Sequence, residues 1–283
     1  MIKEIWRNQY ASFLQEDGIH RDLNWLHSLP EDPVKAVIAI KSPLIMAGLP
    51  IALGLIDHLN DRFIDKDFYE NIIKHESRHF AKDQSIEFEM PFNLFIVAER
   101  TFLNILHRGC AIASTANFYA ERAKKFNIAI LETRKTTPGL RSLEKYSAII
   151  GGAKGHRFDL ADSLMIKDNH KKFFGGLEKS WRFFNEHNVA YRNIIVEIHN
   201  LEELKVATKL GVKHVMLDNF KPEKILEAIN LKTSGMTFEV SGGIDESNFD
   251  SYLIKGVDYI SIGSITFWPK KVDLSLKIRS KND

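Results

Sequence analysis

From residue 128 onward the sequence alternates short apolar runs with amphipathic segments, and that alternation leaves few folds open. The runs are IAILET (128–133), DSLMIKDN (162–169), NIIVEIH (193–199), HVMLDN (214–219), TFEVSG (237–242) and DYISIGS (258–264). Between them, in stretches such as LEELKVATKLG (201–211) and PEKILEAINL (222–231), apolar residues recur three or four apart, the period of a helix with one buried face. Repeated βα units bury a parallel sheet under helices, so the expected class is α/β, as an α/β barrel. Gly211 and Gly256 each stand where a helix C-cap is expected. A barrel alone takes about 250 residues. A chain of 283 residues therefore has room for a barrel and one small domain.

Residues 1–90 read differently: a first helix, a strand-like KAVIAI (35–40), an apolar segment to Leu59 and a charge-mixed stretch to about Ser85. This predicts a separate α+β domain. Residues 91–125 carry helical spacing interrupted at Gly109, which predicts two consecutive helices leading into the barrel. No internal repeat or low-complexity tract stands out.

The polar residues fall at the ends of the predicted strands. Strand 128–133 runs into Arg134 and Lys135, strand 162–169 carries Lys167, and strands 193–199 and 214–219 carry Glu197 and Asp218. The last two strands end in Ser241-Gly242-Gly243 and Gly263-Ser264. One charge after one strand is readily a solvated loop residue. A succession of six is harder to explain that way, because in a parallel barrel all these ends meet at one mouth, where active sites of the fold sit. Ser-Gly-Gly is also an ordinary turn, yet after the last strands of a barrel such glycines let phosphate approach backbone N–H groups. Arg134, Lys135, His156, Arg157 and Lys167 make a local cation set suited to a small, multiply anionic ligand. Glu197 and Asp218 add the opposite sign, which suggests Mg²⁺ or contact with a sugar's hydroxyls; neutralisation by the neighbouring cations is the alternative.

Composition narrows the class further. A formal charge of +2 gives no polyanion-coating surface of the kind a nucleic-acid binder needs. The apolar stretch 43–56 is broken well before the ~20 residues of a membrane span. The single cysteine, Cys110, forms no internal disulfide and is expected as a small buried thiol on a helix; with no charged-then-apolar leader, a cytoplasmic location is expected.

Three segments, ERTFLNIL (99–106), ETRKTTPGLRSLEKYS (132–147) and GGAKGHRFDLADSLMIKDNH (151–170), resemble the quinolinate phosphoribosyltransferases. The similarity continues in family order through VEI (196–198), LDNF (217–220), SGGI (241–244) and GVDYISIGSIT (256–266), with weaker landmarks at EDGIHRDLN (16–24) and MAGL (46–49). The resemblance implies an incomplete parallel α/β barrel over residues 111–269 and a smaller N-terminal α/β sandwich domain over 1–110, joined by residues 270–283. It further implies a homodimer whose active sites form between subunits.

On that resemblance, Arg134, Lys135, His156, Arg157 and Lys167 surround the carboxylates of quinolinate and nearby phosphate. Glu197 and Asp218 flank the ribose and Mg²⁺ of phosphoribosyl pyrophosphate, while Ser241, Gly242, Gly243, Gly263 and Ser264 hold the 5′-phosphate. Lys135, Glu197 and Asp218 are the implied catalytic groups, and Arg100 is the arginine that enters the neighbouring subunit's site. The implied reaction is transfer of a phosphoribosyl group to quinolinate with loss of CO₂, giving nicotinate mononucleotide for NAD biosynthesis.

Several positions depart from the family pattern. Glu132 stands where Asp is usual, Ala153 and Gly155 alter the approach to His156, His199 replaces an acidic or polar residue, and Phe267-Trp268 follow Thr266 where some members carry histidine. Such changes leave open a paralogue acting on another aromatic acid or base. A non-catalytic anion-binding regulatory protein is the third reading, against which the intact cation set and both carboxylates stand.

Overall fold

Alternating burial sets the first sheet. In the computed structural model, which describes residues 2–21, 28–60 and 66–279, strand β1 (Pro33–Ile40) buries Ala36, Ile38 and Ile40 and turns the residues between them outward. After the short β2 (Leu44–Ile45) and β3 (His79–Phe80), which pair with each other, β4 (Ser85–Pro91) buries Ile86, Phe88 and Met90 with the same period of two. β4 lies antiparallel on one edge of β1, and the C-terminal strand Leu274–Ile278 lies antiparallel on the other. The apolar face of this three-stranded sheet belongs to a cluster that also takes Leu49, Leu53 and Leu55 from the helix Leu49–Leu59 and Tyr10 from the helix Ile2–Glu16. Residues 22–24 of the sequence landmark 16–24 lie outside the described residues, as do residues 280–283.

The chain forms two compact units. One comprises Met1–Thr115, Thr137–Gly151 and Pro269–Asp283; the other comprises Ala116–Thr136 and Gly152–Trp268. Residues 137–151 thus belong to the first unit, where the expected cut near residue 110 would put them with the barrel. The reason is local: the helix Arg141–Ile150 places Leu143 in the first unit's buried cluster.

The second unit is built on a six-stranded, wholly parallel sheet ordered β5-β10-β9-β8-β7-β6. Its strands are β5 (Ala129–Leu131), β6 (Leu164–Ile166), β7 (Ile194–Ile198), β8 (His214–Asp218), β9 (Thr237–Ser241) and β10 (Tyr259–Ser261). Each falls within its predicted run. Strands β6 to β10 neighbour one another in chain order, and β10 then pairs with β5, as in a barrel. A closed barrel would also pair β5 with β6. Those two are the sheet's edges, and after β5 only the segment at Lys154 bridges back, to Leu131. Hence the barrel is incomplete. The three central residues of β8 and of β9 are buried in succession, as expected of strands covered on both faces.

Two local expectations are corrected. Residues 92–124 form one continuous helix, Phe92–Lys124, with no break at Gly109. A Cβ at Gly109 would overlap the carbonyl of Ala47, so this glycine serves a close backbone approach and stays helical. Gly256 does not cap a regular helix. It follows a short 3₁₀ turn, Phe249–Tyr252, with φ of 106°. Gly211, with φ of 71° and its N–H donating to Thr208 O at 3.1 Å, does close the helix Leu201–Lys209. Among the described residues no helix is long and apolar enough to cross a membrane.

Candidate active site

Within the second unit the C-terminal ends of β5 to β10 open on a cavity of about 670 Å³. Its lining includes every residue predicted for the site except Arg100. Arg100 lies in the first unit on the helix Phe92–Lys124, beside a smaller cavity of about 200 Å³ shared with Glu16, Asp17 and Arg108.

The cations come from chain segments held by backbone contacts. Past β5, the Lys135 N–H donates to Thr133 Oγ1 at 3.1 Å and Lys135 O accepts from Thr266 Oγ1 at 2.8 Å, leaving the Lys135 ammonium exposed. Arg134 is half-buried, and its Nε is buried with no hydrogen-bond partner in the protein. Buried N–H groups are nearly always paired, so an orphaned guanidinium nitrogen beside a cavity marks a place for an acceptor. Arg157 Nη1 donates to Ser163 O at 2.9 Å, which aims its guanidinium. Burial, and then the nearby Arg134, hold the Arg157 pKa below the usual arginine range.

His156 is oriented on three sides. Its backbone N–H donates to Glu132 Oε1 at 3.1 Å, its Nδ1 accepts from the Arg157 N–H at 2.7 Å, and its Nε2 lies 3.2 Å from Glu239 Oε1. Since Nδ1 accepts, Nε2 carries the ring proton and donates to Glu239. Glu239 also accepts from Ser261 Oγ.

Carboxylates occupy the adjacent strand ends. Period-two alternation puts Glu197 and His199 on one side of β7 and the segment just beyond it, and the parallel register that pairs Ile198 with Leu217 brings His199 beside Asp218. His199 Nε2 is 3.6 Å from Glu197 Oε1, and His199 Nδ1 is 3.7 Å from Asp218 Oδ2. One ligating atom from each of the three lies within 4.8 Å of the others. Lys167 Nζ stands 3.9 Å from Glu197 Oε2.

Glycines complete the wall. Gly242, with φ of 100°, has no room for a Cβ against the Asn219 side chain, whereas Gly243, with φ of 61°, faces open space. At Gly263 a Cβ would come 3.0 Å from Lys135 Cδ, so the glycine leaves the lysine stem its place. The result is an open pocket with cations on one side, carboxylates on the next, and backbone exposed between. It suits a small molecule carrying both carboxylate and phosphate.

Residues 112–277 match the family described as quinolinate phosphoribosyl transferase, C-terminal domain. The chain belongs to the quinolinate phosphoribosyltransferase family. A probable carboxylating nicotinate-nucleotide pyrophosphorylase of Methanocaldococcus jannaschii is 35% identical, covering 98% of this chain and 99% of its own. The human carboxylating nicotinate-nucleotide pyrophosphorylase is 33% identical over 88% of this chain and 84% of its own. The solved nicotinate-nucleotide pyrophosphorylase of Francisella tularensis superposes with a TM-score of 0.86 at 28% identity, covering 98% and 97% of the two chains.

Against the quinolinate phosphoribosyltransferase pattern, Glu132 is buried and uses its length to reach the His156 backbone. A Cβ at Gly155 would lie 3.8 Å from Glu132 Oε1, an ordinary contact, so space does not require a glycine there. Phe267 and Trp268, which stand where some members carry histidine, are 57% and 76% exposed and line the cavity. The residue that sequence reasoning missed is Glu239. Its signal was present: a carboxylate in the middle of TFEVS, a strand otherwise built for burial. Cys110 is buried in the first unit, where burial pushes its thiol up to about 12, far from any nucleophilic form at neutral pH.

Proposed function

We propose that this protein transfers the phosphoribosyl group of phosphoribosyl pyrophosphate to quinolinate and releases CO₂ and pyrophosphate, forming nicotinate mononucleotide. One observation carries this reading: a single cavity holds an arginine with an orphaned buried Nε, further cations, the carboxylates of Glu197, Asp218 and Glu239, and two glycine-bearing strand ends. A dicarboxylic acid and a sugar phosphate are the ligands that use all of these at once.

In this reading Lys135, Arg134 and Arg157 take the carboxylates of quinolinate, with His156 and Lys167 completing the cation wall, and Arg100 serves the site of the neighbouring subunit in a homodimer. Ser241 to Gly243 and Gly263 to Ser264 receive the 5′-phosphate. The ring nitrogen attacks C1 of the ribose while the C1–O bond to pyrophosphate breaks. Glu197 and Asp218, facing that carbon, favour the positive charge that develops on the sugar. The glycosylated ring nitrogen then draws the electron pair released when the adjacent carboxylate leaves as CO₂, and a proton takes the vacated carbon. No covalent nucleophile is needed, so the protein acts by positioning and charge.

The oxygen donors of Glu197 and Asp218 fit a hard divalent ion. They would hold Mg²⁺, which when bound supplies neutralisation of the leaving pyrophosphate. The unpaired state of Cys110 suits the cytoplasm as the working compartment.

The test is direct. Purified protein incubated with quinolinate, phosphoribosyl pyrophosphate and Mg²⁺ should yield nicotinate mononucleotide by chromatography of the mixture. Product only from a different aromatic acid would reassign the substrate, and ligand binding without turnover would make the protein a binder.

A further inference from the structure

We infer that His199 makes the divalent-ion site at the ends of β7 and β8 a mixed nitrogen and oxygen site, selective for a first-row transition ion such as Mn²⁺ over Mg²⁺. The inference rests on the function proposed above for its setting, but it concerns the ion. Three facts lead to it. The strand register sets Glu197, His199 and Asp218 side by side, with candidate ligating atoms within 4.8 Å of one another. The imidazole faces both carboxylates, 3.6 Å from one through Nε2 and 3.7 Å from the other through Nδ1, so a ring nitrogen and two carboxylate oxygens border one small space. Finally, Asn219 Nδ2 donates to Asp218 Oδ2 at 2.7 Å and the His199 N–H donates to Glu203 Oε2 at 2.9 Å, which fixes the segments that carry the donors.

Ligand chemistry then decides the preference. Mg²⁺ takes oxygen donors and keeps several waters, whereas an imidazole nitrogen favours the first-row transition ions, among which Mn²⁺ stands lowest in affinity and so sets the smallest preference to be expected. An acidic side chain at position 199 would make an all-oxygen site. A histidine there penalises Mg²⁺ relative to Mn²⁺.

Binding of Mn²⁺ alone to the full chain, followed by the EPR signal of free Mn²⁺ with and without inorganic pyrophosphate, tests the inference. Mg²⁺ is titrated as competitor. The wild-type protein should bind Mn²⁺ at least about tenfold more tightly than Mg²⁺, and His199→Gln should erase most of that difference while leaving Mg²⁺ affinity near its starting value. Pulsed EPR of Mn²⁺ on the wild-type protein should show coupling to an imidazole nitrogen, a readout independent of how well the variant folds. Absence of that coupling, no Mn²⁺ binding under either condition, or an equal change for both ions in His199→Gln would overturn the assignment. Nicotinate mononucleotide formed by a protein lacking the coupling would sink the ion assignment alone. Coupling without product from quinolinate would sink the proposed substrate and leave the ion.

Discussion

Single side chains carry the recognition argument through charge and its partners. Lys135 is exposed at the cavity, while Arg157 is partly committed to Ser163 O. Removing one charged hydrogen-bonding partner from a bound dicarboxylate costs on the order of 1.5–3 kcal/mol. An ordinary surface charge changes stability by under about 0.5 kcal/mol. Calorimetric titration of quinolinate into Lys135→Ala and Arg157→Ala should therefore show affinity reduced at least about tenfold in both, with the Lys135 variant melting like the wild type. Arg157→Ala should melt lower as well, since Ser163 O loses its donor. Unchanged quinolinate affinity in both folded variants would remove these residues from the carboxylate site.

At the scale of elements, two glycines do opposite jobs. Gly109 sits inside the helix Phe92–Lys124 against the Ala47 carbonyl, with no room for a methyl group, and an added methylene in a packed core costs typically about 1–3 kcal/mol. Gly109→Ala should accordingly lower the melting temperature by several degrees, even though alanine is the better helix former. A melt as high as the wild type's would show that the helix can shift away from Ala47. Gly243 has a positive φ and open space around it, so an alanine there meets no clash and costs roughly 1–2 kcal/mol of backbone strain. Its methyl would stand in the space that a 5′-phosphate needs. Gly243→Ala should raise the KM for phosphoribosyl pyrophosphate well beyond any change in the KM for quinolinate; equal changes in the two would place the phosphate elsewhere.

At the scale of the whole molecule, the place of Arg100 bears on how the proposed site is completed. Arg100, alone among the predicted site residues, does not line the cavity, and the function proposed above places it in the neighbouring subunit's site of a homodimer. Arg100→Ala and Lys135→Ala homodimers should each be nearly inactive. In a hybrid with shared sites, one pocket takes both substitutions and the other takes neither. Free subunit exchange makes about half the dimers hybrids and restores about a quarter of all sites. Activity that stays flat after mass spectrometry confirms the hybrid would show that Arg100 works within its own chain or not at all.

The periodicities alone determined the class of fold and the location of the site. Apolar runs of strand length separated by helical spacing point to a covered parallel sheet, and polar residues that follow such runs then gather at one end of it. Glu197, Asp218 and the glycines after β9 and β10 were legible for that reason. Tertiary structure decided what depends on contacts between distant segments. Gly109 reads as a helix breaker until Ala47 is seen against it, and residues 137–151 read as part of the barrel until Leu143 is found in the other unit's core. Glu239 reads as one more strand residue until its carboxylate meets His156, and His199 as a departure from a pattern until the register of β7 and β8 sets it beside Asp218. The physical reason is that local sequence fixes which way a side chain points along its own element, while the neighbour it meets is set by register and packing.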